Sequence, residues 1–292
     1  MNFKTKSSIL IIGGGRTGSS LAYHFLKNKI KIVSLVEQDL QRTQFLKNEL
    51  HWKFIKRHPD PEHFQESDII LLAVKDDQIK NLAKHLANIS DVWTNKIVLH
   101  LSGTLPSIVM YPLAIKGART GSLHPIFSFS ADPRENQDFQ NCWFTLEGDY
   151  IYPDDLGSKL AIKKDRIIPM NNIQKQTVHI ASVFFANYII ALADMGLEIL
   201  NKSKTLSSNP LSFFKPLILS TIENLTKRGP AETLTGPLSR GDFDTLRYHL
   251  KYLQKHHPNL KEAYRVLGTR LAALSKLSKK DKEKIIILLN SS

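Results

Sequence analysis

A glycine-rich turn near the start of the chain is the strongest constraint on its fold. Residues 13–18 read Gly-Gly-Gly-Arg-Thr-Gly, directly after the apolar run Ser8–Ile12 and before a predicted helix. A strand, a tight turn and a helix in this order are the context that the G-x-G-x-x-G pattern requires. Gly13 permits the turn, Gly15 lets the backbone approach a diphosphate, and Gly18 lets the helix pack against the strand. The helix start then offers free N–H groups to phosphate oxygens. We therefore predict that a dinucleotide phosphate contacts Gly13, Gly14, Gly15, Arg16, Thr17 and Gly18.

The second predicted strand ends in a carboxylate, Glu37. A carboxylate at this point accepts hydrogen bonds from ribose hydroxyls and repels a 2′-phosphate, so it favours NAD over NADP. Arg42 lies one turn into the next predicted helix, within reach of such a phosphate, and NADP stays open as an alternative. S-adenosylmethionine enzymes also combine a glycine-rich turn with an acidic residue here, so the rest of the chain has to decide between these classes.

The chain divides into an alternating half and a helical half. In the first half, strand-like and helix-like segments alternate, and residues 68–74 form an unbroken apolar run after Asp68. Such a run suits a strand that is buried on both faces of a parallel sheet, and the alternation predicts a doubly wound α/β fold. From residue 172 the pattern is helical almost to the end. We predict a dinucleotide-binding domain over residues 1–168 and an all-α substrate and dimerisation domain over residues 169–292.

The longest apolar helix, predicted over residues 174–200, is apolar nearly all round. A helix of this kind is typically buried, either in a domain core or against a partner chain. Its apolar stretch contains Asn187, Asp194 and Glu198, which is unusual for a membrane span. We therefore expect a soluble, cytoplasmic protein that does not enter a membrane.

The charge of the chain is positive and uneven. There are 40 basic and 27 acidic residues, and the net charge is +4 over residues 1–168 and +9 over residues 169–292. A basic second half suits anionic substrates or nucleic acid. No recognition helix or basic strand with interleaved aromatic residues indicates nucleic acid, so a solvated lysine-rich surface is the simpler interpretation.

Metal and disulfide chemistry have little support in the sequence. Cys142 is the single cysteine, which excludes an intramolecular disulfide framework and cysteine-rich metal sites. His249, His256 and His257 do not have the spacing of a zinc site. We expect no metal.

Several candidate site residues follow predicted strands at their carboxyl ends, where open α/β sheets bind ligands. Val74 and Lys75 end one strand, and we expect their backbone to contact the cofactor. Ser102 follows the next strand and is a candidate for both cofactor binding and catalysis. His124 follows the strand after that. Because its pKa is normally near neutrality, we predict that His124 acts as a general acid or base, with a structural histidine as the alternative.

Three further candidates lie in the helical half. His179 and Asn187 are eight residues apart, which in a regular helix separates them by about 80° and about 12 Å, so both can border one groove. Asn187 in an apolar run needs hydrogen-bond partners, and we predict contact with substrate for both residues and catalysis for Asn187. The guanidinium of Arg240 suits a carboxylate or phosphate of the substrate. Asp242 is a predicted N-cap.

The motifs of the chain resemble those of the 6-phosphogluconate dehydrogenase-like superfamily. The similarity covers residues 68–79, 100–103, 122–127 and 179–187, and its most specific part is Leu-Thr-Gly-Pro-Leu-Ser-Arg-Gly-Asp at residues 234–242. Together they resemble the Rossmann-like and DUF2520 domain-containing proteins, which are described as NAD(P)- or F420-dependent oxidoreductases. The resemblance implies an N-terminal Rossmann domain, a C-terminal helical domain like that of 6-phosphogluconate dehydrogenase, a dinucleotide cofactor and a homodimer.

The chain departs from the superfamily at one position. Better-known members carry a Lys-x-x-x-Asn pair on the first long helix of the second domain, but here Val183 is four residues before Asn187 and the nearest basic residues are His179 and Lys175.

Our leading hypothesis is an oxidoreductase that acts on a small anionic carbonyl or imine compound in the cleft between the domains. The alternative is a dinucleotide-binding redox sensor without catalytic activity.

Overall fold

The first part of the chain builds one eight-stranded sheet in the computed structural model, which describes residues 7–148, 151–203 and 209–291. Its order is β3-β2-β1-β4-β5-β6-β7-β8, in which β1 to β6 run parallel, β7 is antiparallel to β6, and β8 is parallel to β7. This confirms the predicted doubly wound sheet, including the two short strands predicted near residues 143–147 and 166–169, which close one edge. The strands are β1 Ser8–Ile12, β2 Lys31–Val36, β3 Ile55–Lys56, β4 Ile69–Leu72, β5 Ile97–His100, β6 Arg119–Ile126, β7 Trp143–Gly148 and β8 Ile167–Pro169.

The strands β1, β4 and β5 form the buried centre of the sheet, and every one of their residues is buried. One face packs around Phe25 and Leu21, and the other packs around Trp93 and Leu86. Burial on both faces explains why the apolar run at residues 68–74 shows no alternation. The chain reverses direction across the sheet between β1 and β4, and open α/β sheets bind ligands at such a point.

Among the described residues of this part of the chain, six α-helices accompany the strands. Two of them, Pro61–Glu66 and Pro153–Leu160, were not predicted from the sequence. Both are short and begin with a proline, a residue that favours the first helical position because its missing N–H has no partner there anyway. The helices are α1 Arg16–Lys27, α2 Leu40–Asn48, α3 Pro61–Glu66, α4 Asp76–Ile89, α5 Tyr111–Ala114 and α6 Pro153–Leu160.

The described residues after β8 are helical almost throughout, which confirms the predicted all-α second part. Helices α12, α13 and α14 share a core of Leu246, Leu250, Ala272, Ile285 and Leu289. The helices are α7 Asn172–Ser182, α8 Tyr188–Ser203, α9 Pro210–Arg228, α10 Pro230–Thr233, α11 Pro237–Arg240, α12 Phe243–His256, α13 Pro258–Leu274 and α14 Lys279–Asn290.

The contacts divide the chain into two compact units, residues 1–186 and residues 187–292. The whole of α7 therefore groups with the sheet. The predicted domain boundary, between residues 168 and 169, falls within β8, and a division of the functions there stays a prediction.

The predicted regular helix over residues 174–200 is interrupted. A π-helical segment, Val183–Asn187, separates α7 from α8. A π turn accommodates an extra residue, so the offset of about 80° that regular spacing gives between His179 and Asn187 does not apply. Such turns occur frequently at functional sites.

The predicted burial of this helix in a domain core is wrong. Within Asn172–Asn201, an 18-residue window has a mean hydropathy of 1.7, enough by length and composition to cross a membrane, and none of it is buried. Phe185 is 79% exposed and Ile190 is 66% exposed. The physical reason is that the elements of each unit, taken by itself, cover this helix too little. Its burial against a partner chain stays a prediction.

Candidate functional site

The glycine turn has the geometry of a phosphate cradle. An ideal Cβ on Gly13, whose φ is +108°, would lie 2.3 Å from the Ala73 carbonyl oxygen, and one on Gly18 would lie 1.9 Å from the Gly13 carbonyl oxygen. An ideal Cβ on Gly15 would have no atom within 4 Å. Gly13 and Gly18 are therefore required by packing, whereas Gly15 faces free space. α1 begins at Arg16 without a side-chain cap, which leaves first-turn N–H groups for a ligand.

The carboxylate of Glu37 is held at the edge of this turn. Its Oε2 atom accepts a hydrogen bond from the Gly14 N–H at 2.8 Å, and its Oε1 atom accepts one from the Asp39 N–H at 2.8 Å. Two backbone donors fix the carboxylate where the sequence predicted a ribose contact.

Arg42, the alternative phosphate ligand, is committed to atoms of the protein. It donates hydrogen bonds to the carbonyl oxygens of Gly14 and Ala131, each at 2.8 Å, and to Ser19 Oγ at 2.5 Å. Burial lowers the pKa of Arg42, and the charge of Glu37 opposes this shift. The guanidinium therefore ties α2 to the glycine turn and to α1.

A cavity of about 790 Å³ opens beside the turn, within the first unit. Gly13 and Glu37 line one side, and Val74, Lys75 and Gln78 line another. Its volume lies within the usual range for small-molecule and cofactor sites. The structure thus brings the predicted residues Gly13, Glu37, Val74 and Lys75 together around one cavity.

Ser102 lies in a hydrogen-bonded turn after β5. Its Oγ atom donates to Asp76 Oδ2 at 2.7 Å and accepts from the N–H groups of Thr104 at 3.1 Å and Leu105 at 2.9 Å. The side chain is buried, and its one hydroxyl proton is directed at Asp76. These bonds fix the shape of the turn that contains Gly103.

His124 and His179 meet over Gly103. The Nδ1 atom of His124 lies 2.9 Å from the Leu101 carbonyl oxygen, which accepts but cannot donate, so Nδ1 carries the hydrogen. An ideal Cβ on Gly103 would lie 2.8 Å from His124 Nε2 and 2.4 Å from His179 Nδ1. The two rings are 5.5 Å apart and inclined at 74°. Glycine at position 103 leaves room for both nitrogens.

The histidine pair carries unused hydrogen-bonding capacity. Among the described residues, the buried Nδ1 atom of His179 has no hydrogen-bond partner. Burial is the main cause that lowers the pKa of His124, and His179 and Lys175 lower it further, whereas the Leu101 bond and Asp76 oppose the shift. A buried nitrogen without a partner, next to a second imidazole, can receive a polar atom of a ligand.

Two buried groups beside this pair were given no role by the sequence interpretation. His100, the last residue of β5, is fully buried, and burial followed by the charge of Lys175 lowers its pKa to about 3. Lys175 is also fully buried, and burial lowers its pKa to about 8. The sequence alone could have indicated Lys175, because this residue lies four residues before His179 and therefore on the same face of the helix.

The remaining candidates lie in the second unit. Asn187 is the last residue of the π segment, and Arg240 is the last residue of α11; both side chains are exposed. Their contact with a substrate stays a prediction. The predicted capping role of Asp242 is confirmed, because its carboxylate accepts a hydrogen bond from the Thr245 N–H at 3.1 Å.

Comparison with solved structures shows that this fold is shared. A Bacteroides fragilis protein described as an NADP oxidoreductase, BF3122, is 20% identical with a TM-score of 0.72, over 91% of this chain and 98% of its own. A pyrroline-5-carboxylate reductase from Coxiella burnetii is 17% identical with a TM-score of 0.53, over 94% and 100%. An imine reductase variant from Myxococcus stipitatus in complex with NAD⁺ is 14% identical with a TM-score of 0.59, over 97% and 100%.

Two family models match the chain. Residues 8–102 match the family described as NADP oxidoreductase, coenzyme F420-dependent, and residues 142–271 match a domain of unknown function, DUF2520. No curated protein gives a sequence match. The matches confirm the predicted resemblance and the predicted class, an oxidoreductase that uses a nicotinamide dinucleotide. The chain is therefore similar to the coenzyme F420-dependent NADP oxidoreductase family in its first part and to the DUF2520 domain in its second part.

Proposed function

We propose that this protein reduces a small anionic carbonyl or imine compound with NADH or NADPH. One observation carries the proposal: the open glycine turn and the Gly103 turn beneath the histidine pair both follow carboxyl ends of parallel strands in the same sheet. The glycine turn follows β1, the Gly103 turn follows β5, and the two histidines come from the last part of β6 and from α7. A dinucleotide bound along this edge would extend from one to the other.

The residues of the turn fit a dinucleotide, because Gly15 faces free space at the start of α1. In this proposal residues 13–18 hold the diphosphate, Glu37 binds the ribose hydroxyls, and Val74 and Lys75 border the nucleoside. A bound nicotinamide supplies a hydride to the unsaturated carbon of the substrate. The protein has to orient the substrate and to deliver a proton.

His124 is the proposed proton donor. Its Nδ1–H is held by the Leu101 carbonyl, so Nε2 is the atom that gains and loses the second proton. Nε2 of the imidazolium donates to the substrate nitrogen or oxygen, while His179 Nδ1 holds the same polar group. Because burial lowers the pKa of His124, its cation is a stronger acid than an ordinary imidazolium. Ser102, whose hydroxyl is bonded to Asp76, holds the intervening turn rather than the substrate.

The substrate class rests on charge and on similarity. The net charge of +13 favours an anionic compound, and the Arg240 guanidinium is the proposed ligand for its carboxylate or phosphate. Asn187 is the proposed second polar contact. Two of the similar structures are a pyrroline-5-carboxylate reductase and an imine reductase, which supports a C=N or C=O bond as the reacting group.

NAD is the proposed cofactor in preference to NADP. Glu37 keeps a negative charge beside the expected ribose, and Arg42 is already bonded to three protein atoms. A 2′-phosphate would therefore meet a carboxylate, while the guanidinium of Arg42 is already bonded to other groups.

We also propose that a second copy of the chain covers the apolar surface of α8 and α9, defined by Ile190, Phe213, Leu217 and Leu219, which are each at least half exposed. A groove of about 450 Å³ between these helices is lined almost entirely by apolar side chains. Glu198 of α8 accepts a hydrogen bond from Asn259 at 2.9 Å, so the polar end of this helix is bonded within its own unit. A soluble cytoplasmic homodimer is the proposed state.

Cofactor oxidation by the purified protein tests the proposed activity. NADH and NADPH are offered with cyclic imines and keto acids, each with and without a carboxylate. We expect turnover with a carboxylated member of the panel, loss of at least about 100-fold in kcat for His124→Asn, and little change for the exposed control His58→Asn. Cofactor binding without any turnover would favour the redox sensor, and absence of binding at millimolar cofactor would refute both proposals.

Light scattering of the purified protein tests the dimer. We expect a dimeric mass for the natural chain and a monomeric mass for Ile190→Glu combined with Phe213→Glu. Val266→Glu is the control, because Val266 is an exposed apolar residue on α13, outside the surface of α8 and α9. A natural chain that is monomeric at micromolar concentration, or that requires detergent to stay in solution, would contradict a dimer through this surface.

A further inference from the structure

A fully buried lysine ties α7 to the turn that carries the histidine pair. Lys175 is 0% exposed, and its Nζ atom donates a hydrogen bond to the Leu105 carbonyl oxygen. A buried ammonium is costly unless it is paired, so its position requires a compensating environment. Leu105 is the last residue of the turn that begins at Ser102. Its N–H donates a hydrogen bond to Ser102 Oγ, and this bond helps to fix the shape of the turn.

The position of Lys175 determines where His179 lies. The two residues are one turn apart on α7 and so lie on the same face of the helix. The lysine bond holds that face against the Ser102–Leu105 turn, and Gly103, within this turn, lies under both histidine nitrogens. Asp76 holds the other side of the same turn through Ser102. The turn is therefore held from α4 and from α7.

Charged and titratable groups surround Lys175 on several elements. Glu147 of β7 and Asp76 of α4 stabilise its positive charge, although burial dominates and lowers its pKa to about 8. Glu147 is fixed by the N–H and the hydroxyl of Ser107, each at 2.7 Å. The positive charge of Lys175 in turn lowers the pKa values of His100 and His124.

We propose that Lys175 is a positioning residue of the reductase site, which clamps α7 onto the Ser102–Leu105 turn and keeps a positive charge next to His124. This inference rests on the proposed function for its catalytic meaning. The clamp sets His179 and His124 against Gly103, and the charge makes the His124 imidazolium a stronger acid. Lys175 itself acts through these residues and donates no proton to the substrate.

Three substitutions of Lys175 separate the effect of its hydrogen bond to Leu105 from the effect of its positive charge. Lys175→Gln keeps a donor for the Leu105 carbonyl but removes the charge, whereas Lys175→Met removes both. Lys175→Arg keeps both. Lys96→Met is the matched control: Lys96 also donates to two backbone carbonyls, those of Gln65 and Ser67, but it precedes β5 and so lies at the opposite edge of the sheet.

Nuclear magnetic resonance titration of the His124 ring in the cofactor-free full chain is the first measurement. We expect the His124 midpoint to rise by about 0.5 to 1 pH unit in Lys175→Gln and Lys175→Met, and to stay unchanged in Lys175→Arg and Lys96→Met. In the natural protein, the His124 resonance should show a second step near pH 8, as Lys175 loses its proton. This second step is measured on the natural protein. The inference can therefore be tested even if one of the variants does not fold.

The pH profile of reduction is the second measurement. Removal of the charge should move the fall in kcat to higher pH, and loss of the clamp in Lys175→Met should lower kcat by a further tenfold or so, with a smaller change in KM. An unshifted His124 midpoint, or a natural protein without the second step, overturns the inference. A protein without turnover that still shows both titration effects would refute the proposed function and leave the role of Lys175 in place.

Discussion

His124 and His179 direct ring nitrogens at the same small volume above residue 103. Nε2 of His124 and Nδ1 of His179 lie 2.8 and 2.4 Å from the point where a Cβ of that residue would stand. The first histidine lies near the end of β6 and the second belongs to α7, 55 positions later in the chain. Only the absence of a side chain on Gly103 lets both rings approach.

Gly103→Ala should therefore disable the site without unfolding the protein. The φ angle of Gly103 is not in the left-handed region, so alanine fits the backbone, but its methyl group would displace one or both rings. We expect kcat/KM to fall by about 100-fold, while the cofactor Kd changes less than about threefold. Gly196→Ala is the control, because no atom lies within 4 Å of the added methyl group. Steady-state kinetics and calorimetry check this, and unchanged kinetics for Gly103→Ala would contradict the role of the pair.

The glycines of the phosphate turn should separate binding from stability. Gly15 has a φ of −60° and free space for a Cβ, so Gly15→Ala should fold normally but raise the dinucleotide Kd by about tenfold or more. Gly18→Ala would place its Cβ 1.9 Å from the Gly13 carbonyl oxygen and should destabilise the fold by about 1–3 kcal/mol. Calorimetric binding and thermal unfolding of both variants distinguish the two effects. Normal cofactor binding by Gly15→Ala would mean that the ligand does not approach this turn.

Glu37 should control the choice between NAD and NADP. Glu37→Gln keeps an acceptor oxygen for the Gly14 or Asp39 N–H but removes the charge that opposes a 2′-phosphate. We expect the ratio of the NADPH Kd to the NADH Kd to fall at least fivefold or so. Arg42→Met is the contrast: it should lower the melting temperature without changing this ratio, because Arg42 is bonded to protein atoms. A change of the ratio in Arg42→Met alone would assign phosphate recognition to Arg42.

The buried His100 should make folding stability depend on pH. Its pKa is about 3 in the folded protein, well below the unperturbed value, so the unfolded chain binds more protons in the interval between them. Its contribution to stability is therefore complete above about pH 6.5 and declines as the pH falls towards 3, at up to about 1.4 kcal/mol per pH unit. Urea unfolding at pH 7 and pH 5 measures this slope. The slope should flatten in His100→Gln and stay unchanged in His58→Gln.

Local patterns were sufficient to predict much of the fold. The unbroken apolar run around β4, the glycine turn before α1 and the helical periodicity after residue 172 each reflect short-range requirements of burial and backbone geometry. The same reasoning missed α3 and α6, because a single turn or two of helix gives too short a pattern. It also could not detect the π turn at Val183–Asn187, which depends on packing around the helix.

The amino-acid sequence by itself determined the class of the fold, the place of the phosphate turn and the strand ends at which polar residues gather, because these features follow from residues close together in the chain. Only the tertiary structure decided that His179 lies over Gly103 beside His124, that Arg42 is bonded to three protein atoms, and that Lys175 is buried against Leu105. The physical reason is that these contacts join residues far apart in sequence. Their distances are set by how α7 and α2 pack against the loops at the strand ends, and no local spacing encodes that packing.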